Sequence, residues 1–125
     1  MNSFLVCWIV TAAFFAVSVV LGFRLKRCPK PYPKILLASH IVLLFLIGLG
    51  IGQCLDKIKG VTTGTSLATV ALYVAGATIN VSLVSGIVML FSKQKKRGWI
   101  LTHLMAALLM GLAILVAGVF RALNW

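Results

Sequence analysis

Residues 34–50 read KILLASHIVLLFLIGLG, and residues 97–113 read RGWILTHLMAALLMGLA. Each stretch opens on a cation, Lys34 or Arg97, and then turns apolar. Each keeps one histidine six residues in, His40 or His103, directly after a small hydroxyl residue, Ser39 or Thr102. Each has a glycine eight residues beyond the histidine, Gly48 or Gly111. About 20 consecutive apolar residues in a helix cross a ~30 Å hydrocarbon core, so runs of this kind predict membrane spans.

Working outward, four such runs can be marked off, at about residues 4–22, 35–54, 66–91 and 99–121. The chain has 125 residues, 62% of them hydrophobic, and a mean hydropathy of +1.12, well beyond a water-soluble domain of this size. The runs are continuously apolar, whereas a membrane barrel needs many short alternating strands. The expectation is one all-α transmembrane domain over residues 1–125, a four-helix up-down-up-down bundle with short connections. The first run has no basic residue ahead of it, unlike a secretory leader, and reads as a retained helix. The third run is the longest, which predicts tilt or an extension past the membrane edge. Superposing the two histidine segments without a gap aligns cation, hydroxyl, histidine and glycine, which points to two repeated helix hairpins. The first and third helices resemble each other poorly.

The net charge of +11 takes its meaning from its distribution. Arg24, Lys26, Arg27, Lys30 and Lys34 fill the first connection, and Lys93, Lys95, Lys96 and Arg97 the third; only Lys57, Lys59 and Arg121 lie at the other end. Positive charge concentrates on cytoplasmic loops, so both termini are expected outside an inner or equivalent membrane, with the basic loops cytoplasmic. Such clusters also attract anionic lipid headgroups. Nucleic acid is not an expected partner, because the basic loops are short and carry no interleaved aromatics. Trp8, Trp99 and Trp125 are expected near the interfaces. Gly48 and Gly52, at small-xxx-small spacing, predict close helix approach. Cys7, Cys28 and Cys54 lack metal-ligand spacing. Cys7 and Cys54 share one end, which leaves a disulfide open, but buried packing cysteines are the preferred reading.

The histidines are the candidate site. Six residues at 1.5 Å each put either imidazole about 9 Å along its helix from the flanking cation, so both lie at one depth. In a ring of four helices the second and fourth are diagonal, so the two imidazoles face each other across the bundle. A paired depth across a bundle suits the two axial ligands of a haem iron, and ionisable groups within spans usually face the interior. A helix carbonyl four residues earlier, at Leu36 or Trp99, is expected to accept from the second ring nitrogen. Leu36, Leu37, Leu43 and Leu44 against Trp99, Ile100, Ala106 and Ala107 would wall the macrocycle. Lys34 and Arg97 are placed for its propionates. Metal ligation is thus assigned to His40 and His103, and cofactor contact to these two with Lys34 and Arg97. Ser39 and Thr102 are expected to bond back to their own helices. Asn80, with Thr78 and Ser82, forms a polar patch suited to interhelical bonding or, less favoured, to a quinone head-group.

Few helices, paired helix histidines and basic inner loops together resemble the small b-type cytochrome membrane subunits. The haem-binding anchors of succinate dehydrogenase and fumarate reductase are examples. The resemblance covers the four-helix plan, His40 and His103. It implies one bis-histidine haem b relaying electrons inside a larger respiratory or photosynthetic redox complex. It also implies other membrane redox subunits as partners and a quinone bound near the haem. No nucleophile–base–acid set is visible in the sequence, so independent hydrolytic or transferase catalysis is not expected. This chain departs from those anchors by carrying both ligands in one duplicated-looking polypeptide. Two rival readings are a cofactor-free structural subunit of a membrane complex and a chlorophyll-type pigment-binding subunit. A bare zinc or copper ion would be left with an incomplete coordination sphere. A small multidrug-type transporter needs a membrane-embedded carboxylate, and the one acidic residue, Asp56, is expected at a loop edge.

Overall fold

The computed structural model describes residues 3–29, 32–59, 66–92 and 97–123. They form four α-helices: α1 Ser3–Arg27, α2 Lys34–Lys59, α3 Leu67–Phe91 and α4 Arg97–Ala122. Each is long and apolar enough to cross a membrane. The helices begin where backbone donors find acceptors. The Pro33 carbonyl takes the Leu37 amide at the start of α2, and Ser66 caps α3 through its side chain to the Thr69 amide at 3.2 Å.

The helices differ from the expected runs at their ends. α1 continues through Arg24, Lys26 and Arg27, and α2 through Asp56 and Lys57, all assigned above to connections. Long cationic side chains can leave the apolar zone from a helix that has not yet ended, so charge marks the membrane edge and not the helix end. α3, at 25 residues, is no longer than its neighbours of 25 and 26.

The packing is a pair of hairpins. α3 lies against α4 and α1 against α2 most extensively; α2 meets α3, and α1 meets α4, over less of their length. Among the described residues, α2 and α4 make no close backbone approach, nor do α1 and α3, so these pairs are the diagonals. Repetition extends to the first helix of each hairpin. Residues 17–22, VSVVLG, and 81–86, VSLVSG, share Val, Ser, Val and Gly at matching positions.

The two large apolar clusters occupy the half of the bundle away from the basic connections, with Leu25, Leu44 and Ala106 buried in the other half. The buried members of the clusters are Phe4 from α1, Ile47 to Ile58 from α2, Ala68 to Ile79 from α3, and Met110 to Ala117 from α4. All of these lie away from the basic connections. Here large α1 side chains enter notches in α4: Phe15 lies over Gly111 and Trp8 over Gly118. Trp8 is therefore drawn into the bundle, in contrast to the interfacial place expected of it. Its indole Nε1 donates to the Ile114 carbonyl at 2.7 Å, a partner that fixes the ring inside. Trp8→Phe should lose that bond while keeping the packing. A loss of about 0.5–1.5 kcal/mol in a denaturant titration is expected.

Close approach between α1 and α2 occurs at Gly50, which faces the buried Thr11, and not at the expected pair. A Cβ at Gly52 would meet nothing within 4 Å, and one at Gly48 would make ordinary contact with Ile79 at 3.7 Å. Cys7, Cys28 and Cys54 form no disulfide, and Cys7 and Cys54 share the far-end core. At the same end, the Arg121 guanidinium stands 6.0 Å from the centre of the Phe4 ring.

Candidate functional site

His40 and His103 each stand six residues into a helix that opens at Lys34 or Arg97. Equal distance from equal starts puts the rings at one level, and the diagonal arrangement of α2 and α4 points them at each other. The ring centroids are 6.2 Å apart, with the planes at 64° in an edge-on relation. Both rings are half-buried.

Each imidazole is seated by the other helix of its own hairpin. His40 Nδ1 is 3.2 Å from the Ser18 hydroxyl of α1, and His103 Nδ1 is 3.0 Å from the Ser85 hydroxyl of α3. These serines replace the expected carbonyls of Leu36 and Trp99. The reason is geometric: each ring reaches across to the facing helix of its own hairpin, and so its Nδ1 meets a serine there and not a carbonyl of its own ladder. Each ring also lies over a glycine. A Cβ at Gly22 would stand 3.3 Å from His40 Cε1, and one at Gly86 would stand 3.6 Å from His103 Cε1. Serine and glycine thus belong to the VSVVLG and VSLVSG repeats, the part of the site that reading the histidine segments alone does not reveal.

The level of the histidines is lined by small and polar groups. Ser18, Ser82 and Ser85 are buried there, with Ala106 and Leu44. Leu36, Leu37, Leu43, Ile100 and Ala107 are partly buried nearby in sequence, while Trp99 is 37% exposed. Lys34 and Arg97 are exposed at the first residues of α2 and α4, about one and a half turns from the rings. Lys30, Lys93, Lys95, Lys96, Trp125 and the bulk of the loop after Lys59 lie outside the described residues.

The remaining polar residues turn back on their own helices. Thr102 donates to the Gly98 carbonyl at 2.8 Å, as expected, and Thr78 donates to the Ala75 carbonyl at 2.9 Å. Asn80 does not bridge helices: it is exposed, and its amide nitrogen donates to the Gly76 carbonyl at 3.0 Å. Beside it, a shallow groove of about 260 Å³ between α3 and α4 is bordered by Asn80, Val84, Ser85, Trp99 and Thr102.

Among the described residues, no third His, Cys, Asp or Glu joins the histidine pair to make a metal-binding group. Two neutral imidazoles therefore provide two donors and no charge. Such a set suits a metal whose other positions are filled by a ligand brought with it, and it leaves a bare ion under-coordinated. Family models, curated proteins and solved structures were compared with the chain, and none matches it.

Proposed function

We propose that this chain is a membrane b-type cytochrome subunit in which His40 and His103 hold one haem b and electrons pass through it. The supporting observation is the diagonal imidazole pair with centroids 6.2 Å apart. A ligating imidazole nitrogen lies about 2 Å from its metal, so two rings at this separation would leave room for one metal between them. The donor set fits in other respects. Neutral nitrogens suit iron, the surrounding side chains are small or apolar, and Gly22 and Gly86 leave the rings uncrowded. Lys34 and Arg97 offer positive charge to propionates at the nearer membrane edge.

Haem held by His40 and His103 would supply one-electron chemistry, and with both histidines bound to it would suit electron transfer over oxygen activation. The chain's own part is to hold two nitrogens at a fixed separation and to exclude water with helix surfaces. The site lies toward one end of the bundle, so a single centre there spans only part of a ~30 Å core. We infer a short relay between membrane redox subunits, with quinone as a candidate acceptor or donor. Broad apolar helix surfaces suit a place beside such subunits.

The deciding experiment is an absorption spectrum of the purified chain, oxidised and reduced. A low-spin b-type spectrum with one haem per chain is expected. A colourless chain that binds no added haemin would instead leave the cofactor-free structural subunit as the reading.

Nine cations at the basic end against three at the far end support cytoplasmic basic loops, lying against anionic lipid. Cys28, next to the first basic cluster, should resist an impermeant thiol reagent added to intact cells. Ready labelling there would reverse the orientation.

A further inference from the structure

The outer faces of the four helices differ in one residue. Asn80 is exposed at the middle of α3, 13 residues after Leu67 and 11 before Phe91. Among the described residues, exposed polar side chains such as Ser39, Gln53 and Thr102 stand toward helix ends, where water and headgroups reach them. The Asn80 amide nitrogen gives one proton to the Gly76 carbonyl at 3.0 Å. That bond leaves a second N–H and the amide oxygen to be satisfied where the surroundings are hydrocarbon. A polar group at such depth usually faces protein and not lipid.

The residues around it form a seam. Val70, Tyr73, Ala77, Asn80, Val84 and Ile87 recur in alternating steps of three and four, and every one is exposed. Any lipid-facing stripe has that spacing; the central amide is what specifies a partner. In paired helices, one polar residue within such a seam fixes the register. Ala77, one turn before it, is small enough for a second backbone to come close.

Two properties of the amide select a second copy of this chain as that partner. An amide both donates and accepts, so it complements its own image. Copies inserted in the same direction are related by a two-fold axis along the membrane normal, which puts identical residues at identical depth. Asn80 beside that axis meets its mate with no further coincidence. An unrelated helix would need a polar residue of its own at the matching depth.

We propose that α3 packs in parallel against α3 of a second copy, through the seam centred on Asn80, with the two Asn80 amides bonded to each other. The dimer leaves the lipid faces of α1 and α2 open to other membrane subunits. It does not depend on what the histidines hold.

The full-length chain in lipid vesicles, labelled at its N-terminus with donor or acceptor dye, reports pairing by energy transfer as the protein-to-lipid ratio varies. Transfer linear in acceptor fraction, as for a dimer, is expected. Asn80→Val should weaken pairing about 3–30-fold, whereas Asn80→Gln, which keeps the amide, should retain most of it. Asn80 is exposed, so both variants should fold. Ala77→Cys should form a covalent dimer on oxidation beyond the level of the parent, and Val42→Cys, exposed on α2, should not. A monomeric parent overturns the proposal and leaves Asn80 to a different membrane helix. Pairing unchanged in Asn80→Val, or equal cross-linking at positions 77 and 42, overturns it as well.

Discussion

His103→Ala and His40→Ala should each abolish the low-spin spectrum, and the double variant should retain no haem through purification. Loss of a residue that merely orients a ligand typically weakens metal binding about 10–100-fold, so loss of the ligand itself should exceed that range. Neither ring belongs to the two large apolar clusters, which occupy the other half of the bundle. The variants should therefore fold, with helix content by circular dichroism close to that of the parent. Single variants should differ from the double: one remaining imidazole with an open sixth position gives a high-spin species that binds carbon monoxide when reduced. If the double variant keeps both haem and the low-spin signal, these histidines are not the ligands.

Of the α4 glycines that face α1, Gly118 should be the most damaging to change to alanine. The added methyl would fall within the space of the Trp8 indole, which its bond to the Ile114 carbonyl holds in place. Overfilling a packed site costs about 1–3 kcal/mol, and a large ring with a fixed partner belongs at the upper end. Gly111→Ala should follow, since its Cβ would stand 2.7 Å from two atoms of the Phe15 ring. Gly52→Ala is the control, because a Cβ there meets nothing within 4 Å. It should fall within about ±0.5 kcal/mol of the parent in the same detergent titration. Equal losses at Gly118 and Gly52 would mean that helix propensity, and not the α1–α4 notch, sets the effect.

Much of this architecture is legible in the chain because lipid simplifies the code. Continuous apolar runs announce spans without any need for periodicity, and short connections make sequential helices neighbours. The equal depth of His40 and His103 follows from a fixed rise per residue. What cannot be read is helix rotation, since apolar residues surround each helix and no polar face marks the interior. Ser18 and Ser85 are therefore invisible as histidine partners until α1 and α3 are turned against α2 and α4. Asn80 misleads for the same reason. An amide in a span is expected to face inward, yet a bond to its own Gly76 carbonyl lessens the cost of facing outward. The repeat in the first helix of each hairpin is concealed by Leu21 standing where Ser85 does. Helix ends are missed because cations look like loop, although α1 carries three of them in its last turn.

The uneven packing of the bundle has a mechanical corollary. Trp8 and Phe15 clamp α1 to α4 at the far end, while the histidine level is held across the bundle mainly by the imidazole pair. A bundle packed more heavily in one half than in the other yields first in the lighter half. Small changes of angle between the hairpins are magnified with distance from the clamp, and so reach the level of the two rings enlarged. The separation of the two rings is then a lever-arm readout of the fit between an indole and a glycine on the opposite side of the membrane.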